Sequence, residues 1–153
     1  MSTAPTPVHS SHRLDLASAS RIAEVALAQG RRLQLKPLTV AVLDAGGHLL
    51  AFVREDGCGI LRPQIAIGKA WGALGMGMGG RALAERAQAH PGFYTALAAA
   101  SDGRMLPVAG GVLVRNAQSD IVGAVGISGD LPDQDEHCAL AGIDAAGWHG
   151  DPG

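Results

Sequence analysis

Three glycine-marked segments constrain this chain more than any other feature. They are Asp44-Ala45-Gly46-Gly47-His48-Leu49-Leu50, Ala109-Gly110-Gly111-Val112 and Gly123-Ala124-Val125-Gly126-Ile127-Ser128-Gly129. In each, glycine stands beside or inside an apolar run of β type. A glycine packs no side chain there, so its presence marks a tight turn or the close approach of another backbone. Three such places in 153 residues point to a ligand pocket or a close subunit contact.

These segments sort the chain into two hairpins. Thr39 to Leu43 turns at Ala45-Gly46-Gly47 into His48 to Val53. Val112 to Arg115 returns around Asn116 to Asp120 into Ile121 to Ile127. Helical spacing fills the rest. From Leu14 to Leu35, Leu16, Ala19, Ala23, Ala26 and Leu27 share a face, with Asp15 placed to cap the start, Arg31 and Arg32 to suit the end, and Pro37 to stop it. Pro63 opens a second helix carrying Ile65, Ala66, Ala70 and Leu74. Gly75, Gly77, Gly79 and Gly80 then break regularity before short helices over Arg81 to Ala89 and Gly92 to Ala100. Asp133 and Glu136 have the spacing of a capping box for a last helix reaching about Ala146. Hairpin-linked strands with helices packed on them predict an α+β domain around an antiparallel sheet.

The length predicts one domain over residues 14–149, between a disordered arm (1–13) and a short tail (150–153). A net charge of −2 gives no electrostatic footprint for nucleic acid. Cys58 and Cys138 make no disulfide framework and no CxxC pair, so both are expected as reduced, partly buried thiols. The first residues lack the apolar core of a secretory signal, and no run approaches the ~18 apolar residues of a membrane span. A cytoplasmic, membrane-free protein is the expectation. Only 17% of residues are charged, against ~25% in ordinary domains. That deficit predicts surface buried against further copies of the chain.

Few residues carry chemistry. Lys69 interrupts the apolar stretch Ile65-Ala66-Ile67-Gly68-Lys69-Ala70-Trp71, where an ammonium needs a compensating anion. That anion is either external, a ligand carboxylate, or internal, for example Asp44. Asp44 ends a strand before a Gly-Gly turn, where aspartate commonly binds local amides. Arg54 leaves the same hairpin and suits an anion. The Gly110-Gly111 amides add donors where a side chain would block approach. No two histidines form an HxH or HExxH pattern, so a dedicated metal site is not expected. His9, His12 and His149 fall near the ends of the chain and His137 in the last helix. His48 and His90 are the candidates for a haem iron. Met76, Met78 and Trp71 suit either a core or an apolar cofactor surface. Gly123 to Gly129 lacks the GxxxxGK[ST] pattern of a phosphate loop, and Ser128 lacks a GxSxG elbow.

Taken in order, Ala41 to Leu50, Lys69-Ala70-Trp71, Gly110-Gly111-Val112, Ile121 to Gly129, Gln134-Asp135-Glu136 and Ala141-Gly142 resemble the GlcG/HbpS family, which includes the C-terminal domain of PduO proteins. The resemblance spans roughly Leu14 to Gly147. It implies a profilin-like α+β fold and a homo-oligomer, a dimer or an octamer built from dimers. It also makes haem a possible cofactor, since some members bind it. Two positions depart from the pattern: Leu113 stands where many members have proline, and Gly80-Arg81 where the PduO domain has Thr-His. A histidine there could ligate iron; an arginine could not.

The sequence therefore predicts an oligomeric binding protein for a small anionic molecule, haem or another tetrapyrrole or a small organic acid. Its pocket is drawn from Asp44, Arg54, Lys69, Arg81, Gly110 and Gly111. The alternatives are an enzyme acting on a small carboxylate through Lys69 and Asp44, and a non-catalytic accessory subunit.

Overall fold

The computed structural model describes residues 13–153. The expected N-terminal arm, with His9 and His12, lies outside the described residues except for Arg13. Helix α1 (Leu16–Arg32) starts where Asp15 accepts a hydrogen bond from the Ser18 amide at 2.8 Å. That bond is the main reason the Asp15 carboxyl sits below the usual aspartate range. The helix buries Ala19, Ile22, Ala23, Ala26 and Gly30, one stripe at helical spacing. It stops before Pro37 is reached. Gln34 adopts φ 56°, and the Leu35 amide turns back to the Gly30 carbonyl at 3.0 Å.

Strands β1 (Thr39–Asp44) and β2 (Leu49–Arg54) form the first hairpin, with Val40 opposite Val53 and a register shift after Val42. Helix α2 (Arg62–Met76) has Pro63 in its first turn and ends at Gly77, φ 66°. Two ten-residue helices follow, α3 (Gly80–Ala89) and α4 (Pro91–Ala100). Strands β3 (Gly111–Arg115) and β4 (Ile121–Ser128) form the second hairpin. Its loop is fastened by the Asn116 side-chain oxygen, which accepts from the amides of Gln118 (3.0 Å) and Asp120 (2.9 Å).

Helix α5 (Pro132–Ala145) does not use the expected capping box. Its N-cap is Leu131, with no side-chain bond, because Glu136 is drawn inward to a tertiary partner. A fifth strand, β5 (His149–Asp151), pairs antiparallel with β3. The sheet order is β2-β1-β4-β3-β5, antiparallel throughout, so the fold is α+β, with five helices and one five-stranded sheet among the described residues.

Two cores follow from the alternation of β1, β3 and β4. On one face α1 and α5 enclose Ile22, Val40, Val42, Val112, Val114, Val125, Ile127 and Ile143. On the other, α2 covers Leu43, Leu113 and Ala124 with Ala70 and Ala73. Helix α2 lies so close to β4 that a Cβ at Gly126 would run into the Ala66 carbonyl. The glycine is required by that approach. Among the described residues no helix is long and apolar enough to cross a membrane.

Candidate functional site

Four of the six pocket residues named from the sequence converge at one end of the sheet. Lys69, on α2, is only 3% exposed. Its ammonium donates to the Ile127 carbonyl at 2.8 Å and to Asp135 Oδ2 at 3.0 Å. Asp135 comes from α5, on the opposite face of the sheet, and its other oxygen accepts from the Asp130 amide at 3.1 Å. The two side chains meet past Gly110, where an added Cβ would stand 2.9 Å from the Lys69 nitrogen and 3.2 Å from Asp135 Cβ. Gly110 holds φ 102° and leaves the gap. Gly111 starts β3 against the Lys69 backbone. Lys69 thus has an internal partner, Asp135 rather than Asp44.

Burial lowers the Lys69 pKa and raises that of Asp135, with the attraction between them opposing both shifts. The geometry is that of a charged pair whose partners are complete. One residue along α5, Glu136 binds the guanidinium of Arg81, which stands beside Gly80 at the start of α3. The Arg81 head is half exposed and the Glu136 side chain 6%. Two of the three cations proposed for an anion site are therefore already paired with carboxylates of α5. Local sequence rules do not single out Asp135 or Glu136, because acidic residues near a helix start are accounted for by the helix dipole. The signal in them was position: both lie on the face of α5 that turns inward.

The remaining two residues lie elsewhere. Arg54, at the end of edge strand β2, donates to the Cys58 carbonyl at 2.9 Å. Asp44 is opposite Gly123, four residues along β4 from the carbonyl that Lys69 binds, or about 13 Å at ~3.3 Å per residue. Its Oδ1 accepts from the amides of Gly46 (2.9 Å) and His48 (3.0 Å) and lies 3.3 Å from His48 Nδ1. This turn borders a cleft of about 470 Å³ lined by Arg13, Leu14, Leu50, Ile121 and Val122 together with Asp44, Ala45, Gly46 and His48. The cleft combines apolar walls, one cation and an imidazole beside a carboxylate. His90, at the joint of α3 and α4, is exposed and does not line it. Met76, Met78 and Trp71 pack around Leu83, Tyr94 and Met105 in a third, smaller cluster. Among the described residues no three His, Cys, Asp or Glu side chains cluster as a metal site.

The thiols are separate and enclosed. Cys58 lies 3.1 Å from Thr39 Oγ1 and donates to the Pro37 carbonyl at 3.3 Å. Burial pushes the Cys138 thiol up to about 11.

Helices on both faces of a five-stranded antiparallel sheet, with a small cleft at a hairpin turn, define an α+β domain of a type that solved proteins share. The crystal structure of a PduOC–haem complex superposes with a TM-score of 0.80 at 24% identity, covering 89% of this chain and 96% of that one. Klebsiella pneumoniae protein ORFY matches with a TM-score of 0.79 at 24% identity, over 94% and 98%. HbpS matches with a TM-score of 0.75 at 27% identity, over 94% and 97%, as does a double mutant of the Streptomyces reticuli HbpS. An uncharacterised 15.0 kDa protein from the dhaT–dhaS intergenic region of Citrobacter freundii is 26% identical over 132 residues, 86% of this chain and 90% of that one. The family described as haem degrading protein HbpS-like matches residues 14–144, and the chain belongs to it.

Proposed function

We propose that the chain is an oligomeric small-ligand-binding protein whose site is the cleft at the first hairpin turn, with haem or another tetrapyrrole as the ligand. The observation that carries this reading is His48 beside Asp44. With Nδ1 3.3 Å from the carboxylate, the imidazole keeps Nε2 for a ligand, and a small rotation of the ring would bring Nδ1 into the carboxylate hydrogen bond that commonly orients a metal-binding histidine. Arg13 supplies a cation for an acidic substituent, and Leu14, Leu50, Ile121 and Val122 supply apolar contact. Support also comes from membership of the HbpS-like family and from the shared fold with the PduOC–haem complex.

Among the described residues of the cleft, His48 is the side chain that would hold a haem iron. The His48 side chain is 81% exposed, no second histidine lines the cleft among the described residues, and Arg81 is held by Glu136. Haem would take an iron ligand from His48 and ion-pair with Arg13. The protein's part is to orient the imidazole and shield one face of the macrocycle. The rival enzyme reading joined Lys69 to Asp44; the distance between them and the internal pairing of Lys69 remove its support.

Hemin titration tests the proposal. Binding in the micromolar range with a five-coordinate Soret spectrum is expected, lost in His48→Ala and kept in His90→Ala. Nanomolar affinity with a sharp six-coordinate spectrum, or indifference to His48→Ala, overturns it. Light scattering on the same samples should exceed the monomer mass of 15.5 kDa at micromolar concentration.

A further inference from the structure

The third apolar cluster belongs to an arm with its own hinges. Four glycines fall within six residues, Gly75, Gly77, Gly79 and Gly80, between the last turn of α2 and the first of α3. The return passes through Asp102 and Gly103, both with left-handed backbone (φ 55° and 72°). Between these points α3 packs on α4 and on α2, and of the sheet it contacts chiefly β3. Under them lie three thioethers and two aromatic rings, from Met76, Met78, Met105, Trp71 and Tyr94, with the Arg104 guanidinium 4.2 Å above the Trp71 ring. Neither main core includes Met105 or Tyr94.

At its start the arm is tied from α5 on the far face of the sheet and from the segment after β5 at the sheet edge. Arg81 binds Glu136 of α5, and the Arg81 amide donates to the Pro152 carbonyl at 3.0 Å. The segment that supplies Pro152 is anchored upstream, where β5 pairs with β3 and Asp151 binds Arg115 Nε at 2.9 Å. It lies so tightly on the start of α3 that a Cβ at Gly79 would collide with the Pro152 and Gly153 backbone.

We propose that α3 and α4 form a hinged lid, latched by Arg81–Glu136 and by the Asp151–Gly153 strap, and that its release opens the thioether-and-aromatic chamber to flat apolar molecules. A segment with few buried contacts outside itself opens at lower free energy than the sheet. Methionine lining suits such a chamber, since thioether side chains repack around varied shapes. The proposal does not rest on the His48 cleft, although the Trp71 ring that floors the cluster reaches the same turn, where a Cβ at Gly47 would stand 3.2 Å from it.

Hydrogen exchange on the full chain tests it, comparing wild type with Gly79→Ala and Glu136→Gln. Gly79 has φ −66° and ψ 160°, so alanine fits the backbone there and acts only as a wedge against the strap. Residues 80–105 should exchange as one unit, faster than β1 and β4. Both variants should speed that unit at least tenfold and leave the two strands unchanged. Peroxide oxidation of Met105 and uptake of Nile red should rise in parallel. Exchange of the arm in step with the sheet overturns the proposal, as does a latch variant that accelerates the whole molecule equally or not at all. If Gly79→Ala is insoluble, Arg81→Gln, altered at a half-exposed head, carries the same test.

Discussion

Lys69→Met strands the Asp135 carboxylate in a site where its side chain is 1% exposed. Breaking one side of a buried pair costs about 3–5 kcal/mol. The loss should appear as a lower urea midpoint, and Lys69→Met with Asp135→Asn should recover at least half of it, since asparagine still accepts from the Asp130 amide. The pH dependence of the single variant has a definite sign. Burial already raises the Asp135 pKa above its value in the unfolded chain, and removing Lys69 takes away the attraction opposing that rise. The folded variant then binds a proton that the unfolded chain releases. Its stability should therefore be fully recovered below the unfolded value of 3.8 and lost as pH rises through the raised folded value. Denaturation between pH 4 and 8 checks this: the gap to wild type should narrow as pH falls. The need of Lys69 for an anion was legible in its apolar surroundings. The identity of that anion was not, because the partner comes from 66 positions along the chain. Local rules assigned Asp135 and Glu136 to a helix terminus, and tertiary partners took them instead.

At the level of elements, signals that act within one turn are legible and those that depend on tertiary partners are not. Asp15 and Pro63 act through bonds and dihedrals within a turn of themselves, so sequence suffices. Pro37 was assigned the end of α1, yet the helix turns off earlier through Gln34, whose left-handed backbone no rule for glutamine anticipates. That conformation costs a residue with a Cβ roughly 1–2 kcal/mol relative to an ordinary one. Gln34→Gly should raise stability by about 0.5–1 kcal/mol in chemical denaturation, with the denaturant slope unchanged. Strand β5 left no trace in the sequence because its three residues are polar and glycine-bearing. It forms because β3 offers an open edge. Leu113, the departure from the family's proline, lies opposite both Ala124 and Asp151, in a strand paired on both sides, where proline would bring no N–H to the ladder. Of the candidate site, Asp44 and His48 were legible from the turn. The cleft around them depends on Arg13, Leu14, Ile121 and Val122, which reach it from distant parts of the chain.

Across the whole molecule, the sheet separates two apolar masses that share no side chain, one under α1 and α5 and one under α2. Layers divided in this way are able to come apart in sequence, each with its own transition. The ammonium–carboxylate link through the opening beside Gly110 works against such a sequence. Neither layer loosens without exposing half of a pair to an apolar surrounding, so each is denied a half-melted state of low energy. Calorimetry should accordingly return one peak for the wild type, with the calorimetric enthalpy equal to the van't Hoff value. In the double variant at Lys69 and Asp135, the calorimetric value should exceed the van't Hoff one. A single passage through a sheet, the width of a missing methyl group, then decides whether the fold melts as one body or as two.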